Sequence, residues 1–222
     1  MPRTLQRFLI RLYGWLACAD SSTGGDLIFA LAGRQSRKNY ALEMFSRGRV
    51  SQLLISVGRF EIRSFGDLPF PVRLNLPQMA ASVPPSQRHL FVHLGNRTSA
   101  VEFVHKGRLG TLSEIRALQT WLATRSEIRS VLIVTSAPHL RRVRLCCRCF
   151  LPASIRFRLL PVDEEGSGLR RDLWWQTRRN RAIVLPEFPK LLLYWLALHF
   201  ESATRNVGAW LRKYHVKEEQ FS

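Results

Sequence analysis

The chain has 222 residues, 46% of them apolar, with 13 Phe and 6 Trp, which is enough for one sizeable core and excludes a disordered polymer. Its 34 basic residues against 16 acidic ones give a formal charge of +18, and 29 of the bases are arginine. Such a field favours polyanionic partners (nucleic acid, an acidic lipid surface or phosphate-bearing small molecules), although arginine-rich coding alone would supply part of the excess.

Residues 1–22 read as an amphipathic segment rather than a signal peptide, because Arg7 and Arg11 interrupt its apolar middle. Residues 23–200 read as one α/β domain, and 201–222 as a basic tail. From Asp26, "DLIFALAG" is a short apolar run ending in Gly33, and "RQSRKNYALEMFSRG" follows with helical spacing. "SQLLISVG" completes a strand–helix–strand unit, which implies parallel strands. Residues 64–88 are proline-rich and predict an irregular excursion with one short helix at most.

"HLFVHL" and "AVEFVH" read as strands, and "TLSEIRALQTWLATR" as a helix with Leu112, Ile115, Leu118 and Leu122 on one face. "SVLIVTS" is the clearest strand, and a helix is expected from Pro138. "SIRFRLLPV" is another strand, a helix is expected around Trp174 and Trp175, and the apolar "PEFPKLLLYWLALHFES" closes the fold. Alternation of this kind predicts a Rossmann-like three-layer α/β/α fold with a mainly parallel sheet. No stretch reaches the roughly 18 uninterrupted apolar residues of a membrane span, so neither terminal segment is expected to cross a bilayer.

Around Leu140, a helical wheel puts Val143, Cys147 and Phe150 on the buried face with Cys146 close by, turns Cys149 away, and lines one flank with Arg141, Arg144 and Arg148. The three thiols therefore cannot converge on one tetrahedral metal, and no metal is expected. The arginines suggest an anion instead. Helices that start at the carboxyl ends of parallel strands present free N–H groups and a favourable dipole to negative charge. Three such turns have suitable chemistry: Gly33 with Arg34 and Arg37; Gly110–Thr111; and Thr135–Ser136 with His139, Arg141 and Arg142. Each has an ordinary explanation as well. Thr111 and Glu114 are spaced as a capping box, and Ser136 before Pro138 as a plain helix start. Asp26, at the beginning of its strand, falls at the opposite edge of the sheet from these turns.

These motifs together resemble the SanA/ElyC/YdcF-like family, a domain of unknown function found in envelope-associated proteins. The similarity rests on "DLIFALAG" with Arg34; on "YALEMFSRGRVSQLLIS" ending at Ser56; on "GTLSEIRAL" with Thr111 and Glu114; on "TSAPHLRRV" with Thr135, Ser136, His139 and Arg142; and on the closing Trp-rich segment with Glu187 and Lys190. It runs in order over about residues 26–198, with departures at Ala32, Val57, Gly110 and Ile115. The resemblance implies a Rossmann-like fold at the inner membrane and a role in cell-wall precursor or lipid-carrier metabolism, with a nucleotide-like ligand in at least one member and no settled reaction.

The expectation is a membrane-peripheral protein that binds a phosphate-bearing ligand, nucleotide-like or polyprenyl-phosphate-like. The residues expected at the ligand are Gly33, Arg34, Arg37, Ser56, Gly58, Thr111, Glu114, Thr135, Ser136 and Arg142, with His139 as a general acid or base. The alternatives are a basic nucleic-acid-binding module, a non-catalytic membrane-peripheral scaffold, and a cytoplasmic rather than membrane location.

Overall fold

The structure, a computed structural model, describes residues 2–21, 24–58, 60–62, 78, 81, 83–84, 89–95, 99–104, 109–162 and 169–200. The proline-rich excursion of 64–88 lies largely outside the described residues, and the basic tail 201–222 lies outside them altogether.

Six strands form one sheet: β1 (Leu27–Ala30), β2 (Gln52–Val57), β3 (Leu90–Gly95), β4 (Ser99–Phe103), β5 (Ser130–Thr135) and β6 (Arg156–Pro161), in the spatial order β4-β3-β2-β1-β5-β6. The four strands β2, β1, β5 and β6 are parallel, whereas β3 and β4 join antiparallel at one side. Strands β1 and β5 are continuous apolar runs because both of their faces are covered, as a parallel sheet requires. At the edge, β4 carries mostly exposed or half-buried residues.

The helices are α1 (Arg3–Leu16), α2 (Gln35–Ser46), α3 (Gly110–Leu122), α4 (Leu140–Phe150, entered through a 3-10 turn Ala137–His139), α5 (Arg178–Val184) and α6 (187–200). Alternation along β1 sends Leu27 and Phe29 to one face and Ile28 and Ala30 to the other. The first face packs against α3 and α4 and against Tyr194 and Leu198 of α6. The second packs against Ala41, Leu42 and Met44 of α2. The fold is thus a mixed α/β sandwich of the Rossmann-like kind. A third cluster forms where Tyr13 and Leu16 of α1 meet Ala137, Leu169, Trp174 and Val184.

The segment around Trp174 and Trp175 is a run of turns instead of the expected helix, which begins only at Arg178. Thr177 caps that helix, its side chain accepting from the Asn180 amide. Trp174 is held by burial and by donation from its indole Nε1 to the Leu9 carbonyl at 3.2 Å. The run Arg178–Phe200 is long and apolar enough to cross a membrane by length and composition, a test that the core helix of a soluble protein can also pass. It was not expected from the sequence because charged residues interrupt it, and residues 185–186 break it into α5 and α6.

Candidate anion-binding site

Strand order reverses about β1: the chain passes from β1 to β2 on one side and later returns to β5 on the other. Ligands of open α/β sheets bind at the carboxyl edge of such a switch point, since the flanking crossovers leave a crevice there. A cavity of about 470 Å³ occupies this place, lined by residues of the β1–α2 turn, the start of α3, Thr135, His139 and Arg142, and Lys190 and Tyr194 of α6.

Arg37 forms one wall. It is 7% exposed; its Nε and Nη2 donate to Ser136 Oγ at 3.2 and 3.1 Å, and its Nη1 donates to the Ala32 carbonyl at 2.6 Å. Both acceptors are neutral, and no carboxylate among the described residues forms an ion pair with it. A guanidinium has five N–H donors, so these three bonds leave two directed elsewhere. Burial lowers its pKa to about 10, helped by the neighbouring charge of Arg142 and opposed by Glu114 and Glu61. The close seating of Arg37 depends on Gly33, whose φ of +126° disfavours any side chain and whose position leaves 2.8 Å between an added Cβ and Arg37 Nη1.

The second wall is an ion-pair cluster. Arg142 donates from Nε to Glu187 Oε2 at 2.9 Å, from Nη1 to Thr111 Oγ1, and from Nη1 to Tyr194 Oη at 3.5 Å. Lys190 Nζ meets Glu187 Oε1 at 3.0 Å from the rim. Glu187 is 1% exposed. Burial alone would raise its pKa, but the hydrogen bond and charge of His139 and the Arg142 guanidinium hold it well below the usual carboxylate range. The same pairing raises Arg142 above its ordinary value against the effect of burial.

His139 Nδ1 lies 3.0 Å from Glu187 Oε2 and 3.0 Å from Arg142 Nη2. Burial lowers its pKa to about 4, the Glu187 contacts opposing and the Arg37 and Arg142 charges adding to the fall. The ring is therefore neutral near pH 7. Nδ1 faces both an acceptor, Glu187 Oε2, and an obligate donor, Arg142 Nη2, so it donates to the first in one tautomer and accepts from the second in the other. The sequence suggested a neutral-range acid–base histidine; the burial and the two guanidinium groups move it well below that range.

The expected turns do meet along one rim, but they use their groups differently. The amides of Ala32 and Gly33 are taken by protein carboxylates: Ala32 N–H donates to Glu114 Oε1 at 2.9 Å and Gly33 N–H to Glu61 Oε1 at 2.7 Å. Lys38 Nζ pairs with Glu61 Oε2 and donates to the Gly33 carbonyl at 3.3 Å. Glu114 also accepts from Ser56 Oγ at 2.6 Å, and that hydroxyl lies 2.8 Å from His89 Nε2. Glu114 thus ties α3 to β1 and β2 and is not spent on a capping box; α3 starts after Leu109 without a side-chain cap. Ser136 likewise accepts from Arg37 and does not cap its turn.

Gly33, Arg37, Thr111, Glu114, Thr135, His139 and Arg142 line the cavity. Ser56 is fully buried and acts through Glu114, and Ser136 acts through Arg37. Gly58 permits Glu61 to approach, since an added Cβ would meet Oε1 at 2.9 Å. Arg34 sits at the N-cap of α2 outside the cavity lining. Asp26 is at the other edge of the sheet, accepting from the amides of Arg129 and Ser130 at 2.8 Å each.

The reading from sequence left Lys38, Glu61, Lys190, Tyr194 and Glu187 out of the site. Glu187 was visible as part of the closing segment, but only the packing of α6 brings it across to Arg142.

Among the described residues no group of His, Cys, Asp and Glu is arranged to hold a metal ion. Cys146 and Cys147 are fully buried and Cys149 is exposed, in agreement with the helical wheel. Compared with protein-family models, with curated proteins and with solved structures, the chain matches none.

Proposed function

We propose that this chain is an envelope-associated, membrane-peripheral protein that binds a phosphate-bearing ligand, nucleotide-like or polyprenyl-phosphate-like, in the cavity between Arg37 and Arg142. The observation that carries the reading is Arg37. A buried cation whose hydrogen bonds go only to a hydroxyl and a carbonyl, with Glu114 and Glu61 acting on it only at a distance, costs stability unless a closer negative charge compensates it. Its two remaining N–H groups suit the oxygens of a phosphate, for which guanidinium is the favoured partner.

Around it, Lys190 supplies a half-exposed ammonium at the rim, with 48% of its side chain accessible. Neutral His139 lines the cavity and can exchange a hydrogen bond with a ligand hydroxyl or water. Arg142, neutralised by Glu187, orients His139 and Thr111 and is not the main counter-charge. The resemblance to the SanA/ElyC/YdcF-like family supports the envelope assignment and the choice of ligand class.

The test is calorimetric titration of the protein with ADP, and with a soluble short-chain polyprenyl phosphate, beside an Arg37→Met variant. Binding of either compound that falls at least tenfold in the variant is expected. Equal binding by both proteins, or none by the wild type, removes the proposal.

A further inference from the structure

A second cavity, of about 410 Å³, lies on the outer side of α6, between that helix, α1 and α4. Its floor is apolar, built from Trp15, Leu145, Phe188, Leu191, Leu192 and Trp195. Its α4 wall is basic, with Arg141, Arg144 and Arg148 at successive helical turns of one flank. Trp15 and Phe188 stack at 6.1 Å with an interplanar angle of 8°, which joins α1 to α6 across the trough.

The three arginines are not equivalent. Arg144 is neutralised by Asp20 at 2.9 Å. Arg141 binds the Trp15 carbonyl and lies 4.1 Å from the centroid of the Trp15 ring, with no carboxylate partner among the described residues. Arg148 is exposed, also without an ion pair there. Two uncompensated guanidinium groups thus border an apolar trough. Beyond it, α6 turns further apolar side chains outward: Leu196 is 39% exposed and Phe200 71%, and Phe8 of α1 is 58% exposed. An apolar helix face of this extent needs a cover. The inner line of Glu187, Tyr194 and Leu198 already faces the domain, so the cover must come from outside that line.

We infer that this trough is the membrane-docking site and that it takes an anionic phospholipid. An acyl chain lies along the Phe188–Leu192–Trp195 floor, and the headgroup phosphate meets Arg141 and Arg148. The charge pattern decides the class of occupant. Exposed apolar patches mark several kinds of contact, but cations along one margin of a tryptophan-bearing apolar groove match an amphiphile with one anionic end. Anionic leaflets also attract such basic margins. The inference rests on the membrane-peripheral reading above and specifies the surface and the lipid.

The experiment is flotation of the full chain with vesicles of phosphatidylcholine alone and with 30% phosphatidylglycerol (~30 mol%, an anionic surface of ordinary charge), together with quenching of tryptophan fluorescence by brominated acyl chains. Three variants accompany it. Arg141→Glu/Arg148→Glu changes the margin, Leu192→Ser/Trp195→Ser changes the exposed floor, and Arg47→Glu/Arg49→Glu makes the same charge change near the end of α2 on the opposite face of the sheet. Circular dichroism confirms that each is folded.

Binding to the anionic vesicles is expected to weaken at least tenfold in both groove variants and less than twofold in the α2 control, with quenching lost in the Leu192→Ser/Trp195→Ser protein. Absence of binding to either vesicle overturns the membrane-peripheral reading along with the inference. Binding that all three variants weaken alike, or that neither groove variant weakens, overturns the inference alone and leaves general basicity or another surface as the anchor. A concentration-dependent dimer abolished by the floor variant, without lipid binding, assigns the face to a second copy of the chain and also overturns it.

Discussion

Arg142 and Glu187 are both buried and share a hydrogen bond of 2.9 Å between Nε and Oε2, whereas Arg37, on the facing wall, has no such partner. The two arginines should therefore answer differently to removal. Arg142→Met leaves Glu187 buried with neutral His139 and only the rim ammonium of Lys190 as counter-charge, and is expected to cost about 3 kcal/mol, the low end for a broken buried pair. Arg37→Met removes a charge that is in no ion pair and feels Glu114 and Glu61 only at a distance, together with its hydrogen bonds, and is expected to cost roughly 1 kcal/mol or less. Urea unfolding of the two variants measures both. Similar losses would mean that Arg37 is compensated after all.

His139 sets a pH dependence. Its pKa is about 4 in the folded chain against an ordinary 6.5, so between these values the unfolded chain binds the proton first. Stability is present above pH 6.5 and is lost as the pH falls towards 4, by an amount on the order of 3 kcal/mol. Glu187 extends the loss: its folded pKa is depressed, so its contribution is present above the ordinary carboxylate value and falls away below it. His139→Gln should flatten the curve between pH 6.5 and 4. Unfolding series at pH 7, 5.5 and 4.5 give the slopes, and parallel curves would exclude His139 as the source.

Gly33→Ala tests the β1–α2 turn. The positive φ disfavours alanine, and its Cβ would press on Arg37 Nη1 at 2.8 Å. A loss of about 1–3 kcal/mol is expected, together with a drop in phosphate-ligand affinity comparable to that of Arg37→Met. Titration of the folded variant checks this; unaltered affinity would place the ligand away from Arg37.

The thiols should separate sharply. Burial pushes Cys146 up to about 12 and Cys147 well above its ordinary value, while Cys149 is exposed. A thiolate-selective reagent should modify Cys149 rapidly in the native protein, with Cys146 and Cys147 reacting only on unfolding. Mass mapping after brief labelling reads the order, and Cys149→Ser should remove the fast phase from that helix.

Where periodicity was strong the sequence already carried the answer. The apolar runs at Leu27–Ala30 and Ser130–Thr135 are strands, and the wheel of α4 put Cys147 inside and Cys149 outside, because a single period and burial on known faces determine both. Long-range pairing was less legible. The Thr111-to-Glu114 spacing suits a local cap, yet Glu114 reaches Ala32 and Ser56, since a carboxylate beside a sheet edge finds backbone amides there that local spacing does not reveal. The turns around Trp174 were misread as helix for a similar reason: that tryptophan is fixed by Leu9, 165 residues earlier, and not by its neighbours.

That last contact has a bearing on how the chain is made. Helix α1 leaves the ribosome long before Leu169, Trp174 and Val184, the residues that cover Tyr13 and Leu16. Until they arrive its apolar side has no native neighbour, a condition that invites aggregation or capture by a chaperone during synthesis. Those covering residues follow even the last strand of the sheet, β6, so the Tyr13–Trp174 cluster cannot close before the strands have all been made.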